Sequence, residues 1–178
     1  MENQRRCAAV MVCVGLAIGC ASTERAVGSG LGEERSLSAL SGDEVRVLCE
    51  WQLAPIHEAR GPEALSRTSC LSGALRTTED EAACEASVAA CLAATRARFD
   101  EANACDGAHA VPACDPAHRV GDYEACARDA VEALLTIELD CSMAGDTARI
   151  DAELAALDPS PECTWMNARA CAPFAPAE

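Results

Sequence analysis

The stretch Thr78–Phe99, TEDEAACEASVAACLAATRARF, decides the fold class. Thr78 and Glu81 have capping-box spacing, and the acidic residues of the first turn lie where the helix dipole favours them. Apolar and cysteine side chains then recur at the i, i+4, i+7 and i+8 spacing of one helical face: Cys84, Val88, Cys91, Leu92, Thr95 and Phe99. The pattern predicts a long helix over residues 79–103 whose apolar face meets a core.

The rest of the chain from residue 43 onward has the same helical period and no alternating strand pattern of useful length. Cys84 and Cys91 lie two turns apart, about 10 Å between α-carbons, so they cannot bond each other and each needs a partner on another element. We predict an all-α domain, a small bundle of four to five helices. The other helices are expected from the Ser41–Glu44 capping box to Pro55, over 62–73, over 121–141, over 146–157, and around Cys163.

The core of such a domain needs covalent cross-links. Leu, Ile, Val and Phe together are 31 of 178 residues, below the roughly 20% at which a chain struggles to bury a core. Small exported domains commonly compensate with disulfides. The chain has thirteen cysteines, of which Cys7, Cys13 and Cys20 belong to the N-terminal segment discussed below. The other ten are an even number that predicts five disulfides: Cys49, Cys70, Cys84, Cys91, Cys105, Cys114, Cys126, Cys141, Cys163 and Cys171.

The N-terminus predicts export. Arg5 and Arg6 precede an uncharged apolar run over residues 7–19, which has the length of a signal-peptide core and is too short to span a bilayer. The run ends in LAIGC (16–20), which resembles the lipobox of bacterial lipoproteins, although leucine lies four places before the cysteine instead of three. The resemblance implies lipidation of Cys20 and anchoring to the bacterial cell membrane. We expect the outer membrane or the cell surface. Ordinary signal-peptidase cleavage before Cys20 is the alternative.

These features divide the chain into four parts. We expect a lipoprotein signal peptide at 1–19, the lipidated Cys20 with a flexible tether at 20–42, a disulfide-stapled helical domain at 43–174 and a frayed tail at 175–178. The tether is small, polar and rich in Gly and Ser. The alternative is that part of it packs as an irregular arm.

The charge of the chain limits its partners. The formal net charge is −15, which argues against binding nucleic acid, because that affinity depends largely on neutralising phosphates. It also argues against electrostatic adhesion to anionic lipid. We expect a membrane contact through the lipid anchor alone, and a protein, carbohydrate or cationic partner.

The loop CDGAHAVPACDPAH (105–118) offers an alternative chemistry. Cys105, His109, Cys114 and His118 are residue types that bind zinc. The cysteines are farther apart than in the usual zinc motifs, however, and thiols of an exported chain are oxidised. We therefore predict disulfides, no metal and no cofactor, with both histidines as solvated loop residues, and keep a metal-binding lipoprotein as the alternative.

No pattern in the chain indicates catalysis. It lacks the Cys-x-x-Cys of thioredoxin-type proteins, the Gly-x-Ser-x-Gly elbow and a phosphate loop. We predict a non-enzymatic interaction or structural module of the cell envelope, with an envelope enzyme of unrecognised type as a further alternative. Trp51 and Trp165 are expected to be large core pieces in an aromatic-poor chain, ahead of an exposed binding patch.

Three short motifs carry a resemblance: LCEW (48–51), VGDYEAC (120–126) and PECTWMNARAC (161–171). They are similar to uncharacterised cysteine-rich lipoproteins and secreted proteins of myxobacteria, which have no established activity to transfer. The resemblance implies that Cys91 and Cys105 are an added pair beside eight shared cysteines: Cys49, Cys70, Cys84, Cys114, Cys126, Cys141, Cys163 and Cys171. A Cys91–Cys105 disulfide is expected, because the loop after the long helix can fold back across a few turns.

Overall fold

The structure is a computed structural model and describes residues 28–98, 100, 104–106 and 114–167. Within these ranges the chain is helical, and its one β feature is an isolated bridge between Ser36 and Arg119. The predicted all-α class is therefore confirmed. The α-helices are α1 (Gly42–Arg60), α2 (Ala64–Leu75), α3 (Glu81–Arg96), α4 (Val120–Thr136) and α5 (Thr147–Ala155), and shorter 3-10 helices span Leu37–Ala39, Cys141–Met143 and Pro161–Asn167.

Helix α1 begins at the predicted capping box and extends beyond its predicted end. The Ser41 hydroxyl accepts a hydrogen bond from the Glu44 amide, and the Glu44 carboxylate accepts one from the Ser41 amide at 2.9 Å. The helix passes through Pro55 and ends at Gly61, whose φ of +87° favours glycine. The expected end at Pro55 is wrong. The proline removes one backbone hydrogen bond, but the helix continues through it because buried side chains on both sides, Leu53 and Ile56, pack against the core.

Helix α3 is shorter than its apolar pattern predicts. Asp80, instead of Thr78, caps it by accepting a hydrogen bond from the Ala83 amide at 2.8 Å, and the Thr78 hydroxyl donates to the Ala74 carbonyl. The helix ends at Arg96, followed by a tighter turn in which the Arg98 amide donates to the Thr95 carbonyl. The predicted extension to residue 103 is wrong, because the last turns are mainly exposed alanine and arginine and gain little from packing.

Helix α4 also ends early, at Thr136, because the backbone of Ile137 is extended. Cys141 therefore belongs to a separate 3-10 helix and not to the helix predicted over 121–141. The short helix α5 begins where predicted, with the Asp146 carboxylate accepting a hydrogen bond from the Arg149 amide.

Helices α1 and α4 form one layer of the domain. Near their first turns, Val45 and Leu48 of α1 share a core cluster with Tyr123 and Ala127 of α4. Near their last turns, the Arg60 guanidinium donates to the carbonyls of residues 135 and 137. The two helices therefore run in the same direction.

Helices α2 and α3 form a second layer, together with α5 and residues 141–143. Its core cluster is built from small and sulfur-containing side chains as well as leucine: Cys70, Leu71, Ala74, Leu75, Cys84, Val88, Met143 and Ile150. A third cluster joins the layers at the C-terminal half of α1, where Leu53 and Ile56 meet Ala64 of α2. The second layer is thus attached at the far end of α1 from its capping box.

Residues 28–41 form a packed arm in place of a tether. Leu37 and Leu40 are 0% and 3% exposed, inside the α1–α4 core. The arm also pairs with the entry to α4, where the Val120 amide donates to the Arg35 carbonyl at 2.8 Å and the Leu37 amide donates to the His118 carbonyl at 3.0 Å. The predicted tether over 20–42 is therefore wrong from residue 28 onward, because a core short of large side chains recruits these two leucines.

The start of the arm is held by a buried carboxylate. Glu124 of α4 is 2% exposed and accepts a hydrogen bond from the Ser29 amide at 2.6 Å. A Cβ on Gly28 would lie 2.5 Å from the same carboxylate, so a larger residue at this position would force the Glu124 side chain to shift. The arm is consequently fixed to α4 from its first described residues.

Candidate functional site

All cysteines in the described part of the chain are disulfide-bonded. Four pairs have α-carbons 5.5–5.7 Å apart: Cys49–Cys105, Cys70–Cys91, Cys84–Cys141 and Cys126–Cys163. Cys114 is disulfide-bonded as well. Every cysteine in the described ranges is thus oxidised, as the composition predicted. Cys171 lies outside the described residues.

The disulfides join elements that are distant in sequence. Cys70–Cys91 connects α2 to α3, and Cys49 on α1 holds the segment around Cys105. The predicted Cys91–Cys105 disulfide is wrong, and these two residues are not a self-contained added pair. The physical reason is that α3 packs along α2, which places Cys91 opposite Cys70, whereas Cys105 reaches the junction between the two layers.

The loop that suggested a metal has other contacts. The sulfurs of Cys105 and Cys114 are in disulfides, so neither is a thiolate ligand in this structure. The His118 ring stacks on Trp165, with ring centroids 4.0 Å apart and planes 10° from parallel, so this loop residue is half-buried and only partly solvated. His109 lies outside the described residues, among which no three His, Cys, Asp or Glu side chains are grouped to hold a metal.

Both tryptophans contribute to the core. Trp51 and Trp165 are partly buried and pack against the α1–α4 cluster. Trp165 also covers one face of the His118 ring. Both therefore pack against the core as predicted, but neither is fully buried in it. The spacing of residues in the sequence does not indicate the stacked histidine.

The predicted lipidation site is not within the described ranges. Cys20 and the signal peptide precede residue 28, and the predicted frayed tail follows residue 167. No helix in the described part of the chain is long and apolar enough to span a bilayer.

A groove of about 590 Å³ lies between α3 and residues 139–142. Its lining includes Glu81, Glu85 and Asp140, with Arg67 at the α2 side. Hydrogen bonds from the Ser142 hydroxyl and amide lower the pKa of Asp140, which acts as the cap of the following 3-10 helix. Asp140 therefore stabilises the fold as a helix cap. The sequence did not predict that it lines a groove.

A second groove, of about 370 Å³, lies where the arm meets the start of α4. Four carboxylates and two guanidinium groups line it: Glu33, Glu34, Asp122, Glu124, Arg119 and Arg128. The Glu124 side chain is already bound to the Ser29 amide, and the Arg119 guanidinium donates to the Glu34 carbonyl. This end of the domain is thus acidic and internally cross-linked by polar contacts.

A third groove, of about 350 Å³, is more apolar and separates α4 from residues 156–166. Ala130, Ala133, Leu157 and Met166 line it beside the Cys126–Cys163 disulfide. The adjacent Ser160 hydroxyl oxygen is buried and has no hydrogen-bond partner in the described structure.

No protein-family model, curated protein or solved structure matches the chain, so its function must be argued from these residues.

Proposed function

We propose that the protein is an exported, lipid-anchored module of the bacterial cell envelope or surface that acts by interaction or structural support and not by catalysis. The observation that carries the proposal is the oxidation of all nine described cysteines. Disulfides persist in oxidising compartments outside the cytosol. A chain with this many cross-links therefore fits an exported protein better than a cytosolic one.

The sequence before the domain supports the anchor. The basic start, the apolar run over 7–19 and the LAIGC motif ending at Cys20 have the order of a lipoprotein signal. Acyl chains on Cys20 would hold the helical domain at a membrane surface without a spanning helix.

The arrangement of acids supports an interaction module over an enzyme. Glu44, Glu124 and Asp140 each accept backbone hydrogen bonds that cap a helix or hold the arm. Carboxylates used in this way stabilise the fold. The remaining acidic surface, on a scaffold fixed by disulfides, would suit a protein, carbohydrate or cationic partner.

The anchor is tested by replacing its cysteine. We expect the wild-type protein to sediment with membranes and to carry acyl mass, and the Cys20→Ala variant to lose both. Cys13→Ala is the matched control, because it removes a cysteine from the apolar run and leaves the LAIGC motif intact. If Cys20→Ala remains acylated and membrane-bound like Cys13→Ala, the proposed anchor is refuted.

A further inference from the structure

The groove between α3 and residues 139–142 has an aliphatic floor. Its volume of about 590 Å³ lies within the range of about 300–1,000 Å³ that is typical of ligand sites. Leu92 and Leu139 are half-buried against the α2–α3 core, so part of each side chain stays open to the groove. Leu71 and Val88 line the groove beside them. A ligand that covers this floor removes apolar surface from water.

The single cation of the groove lies at one end. Glu63, just before α2, pairs with Arg96 at the end of α3, and Cys70 of α2 is bonded to Cys91 of α3. The two helices therefore run in opposite directions. Arg67 lies between these two contacts along α2, so it is placed beside the last turns of α3.

The acids of the groove lie at its other end. Glu81 and Glu85 are one turn apart at the start of α3, on either side of Cys84. The disulfide from Cys84 to Cys141 brings Asp140 to the same end. These carboxylates are not grouped to hold a metal ion, since the described residues contain no such cluster. The groove is thus acidic at one end, basic at the other and apolar between them.

The fold does not use the carboxylates of Glu81 and Glu85. In the described part of the chain neither side chain forms a hydrogen bond or an ion pair, whereas Glu44 and Glu124 accept backbone hydrogen bonds. Asp140 uses a single oxygen, Oδ1, to accept both hydrogen bonds from Ser142. The acid end of the groove therefore keeps charge that attracts a cation from outside the domain.

We propose that this groove binds a basic amphipathic helix of a partner protein, with lysine or arginine side chains at the acid end and aliphatic side chains on the floor. This role rests on the proposed function as an interaction module and names the partner. From Glu81 to Leu92 the wall of the groove is about 17 Å long, which is the length of a helix of about 12 residues. The positive N-terminus of the bound helix faces the acid end.

Other ligand classes fit the lining less well. Carboxylates repel the phosphates of nucleic acid, and the residues that line the groove include no aromatic side chain on which a base could stack. An extended peptide binds by adding a strand to a sheet edge, and the described residues form no strand to extend. A groove beside an exposed helix face instead matches the binding of an amphipathic helix.

The absence of lysine from the sequence allows a direct test. The acylated full chain is reconstituted in phosphatidylcholine vesicles and mixed with an acetylated peptide of leucine, alanine and lysine, about 12 residues long, whose leucines fall on one helical face. A carbodiimide then joins the lysines of the peptide to the carboxylates that they contact, and peptide mapping locates the links. A peptide of the same composition in scrambled order is the control for charge alone.

We expect severalfold more links at Glu81 and Glu85 than at Glu132 and Asp151, which are exposed acids of α4 and α5 outside the groove. The scrambled peptide should not show this preference. Equal linking at all four acids, or the same pattern from the scrambled peptide, overturns the groove as the site.

Two arginine substitutions at exposed positions of α3 provide a second measurement. Ala89→Arg places a cation in the groove and should lower the links at its acids by about tenfold or more, because like charges at an interface are strongly unfavourable. Ala94→Arg, outside the groove, is the matched control and should change them less than about twofold. Equal effects of the two variants overturn the proposal.

The same samples separate this proposal from the proposed anchor. The intact mass of the chain reports acylation of Cys20 independently of the links. An acylated chain without preferred links refutes the groove and leaves the anchor standing. An unacylated chain with the expected links refutes the anchor and leaves the groove standing.

Discussion

The packed arm makes a quantitative prediction for Leu37→Ala. Leu37 is fully buried in the α1–α4 core cluster, beside Val45 and Tyr123. Replacing a buried leucine by alanine costs the transfer free energy of the lost atoms and leaves a cavity, together about 2–5 kcal/mol. Because neighbouring core residues belong to α-helices cross-linked by disulfides, collapse of the cavity is restricted, and we expect a loss of about 3 kcal/mol in the free energy of unfolding.

Urea unfolding of the oxidised mature domain, from residue 21 onward, measures this loss. With a urea dependence of about 1–3 kcal/mol per molar, the midpoint should fall by about 1–3 M. Ser38→Ala is the matched control, since Ser38 is an exposed residue of the same 3-10 helix and should change the stability by less than about 0.5 kcal/mol. If both variants unfold like the wild type, the arm is not part of the folded core and the reasoning fails.

Three other predictions follow from single contacts. Burial raises the pKa of Tyr123, the only tyrosine, well above 10, so the folded state favours the neutral phenol. The stability that this group contributes is complete below a pH of about 10 and is lost as the pH rises further. Phenolate absorbance should therefore appear only as the protein unfolds. Hydrogen bonds from Arg35, and then from the capping box, lower the pKa of Glu44 from 4.5 to about 2. The contribution of Glu44 to the stability of the folded state is therefore present above pH 4.5 and is lost as the pH falls toward 2. Glu44→Gln should flatten this part of the acid unfolding curve. Replacing both Cys70 and Cys91 by alanine opens a loop of sequence separation 21 and should cost about 3 kcal/mol in thermal or urea unfolding, and an unchanged midpoint would contradict the assigned pairing.

Local signals in the sequence predicted the helices but not all of their ends. The capping box at Ser41 depends on residues three positions apart and was predicted, and the predicted start of a helix at Asp146 is also confirmed. The end of α3 depends on what packs beyond Val88, and the passage of α1 through Pro55 depends on contacts with other layers. Such ends are set by tertiary packing, which a single helical period does not encode.

The arm, which the sequence analysis gives only as the alternative to a tether, and the disulfide pairing could not be predicted for a related reason. Leu37 and Leu40 are two isolated apolar residues in a Ser-rich stretch, with no periodicity to indicate burial. The even number of cysteines predicted disulfides, but the partner of Cys91 depends on the packing of α3 along α2. The stacking of His118 on Trp165 likewise joins positions 47 apart in sequence, for which no local pattern exists.

The intact mass of the protein from native membranes, with and without reduction before alkylation, tests the account most directly. We expect acyl mass on Cys20, no alkylation before reduction and ten alkylated thiols after it, the cysteines from Cys49 to Cys171. Four assigned pairs leave two of the ten cysteines, Cys114 and Cys171. Peptide mapping of the unreduced chain should therefore also find a disulfide between these two. An unacylated Cys20, or thiols that alkylate without reduction, would contradict an exported, disulfide-stapled lipoprotein.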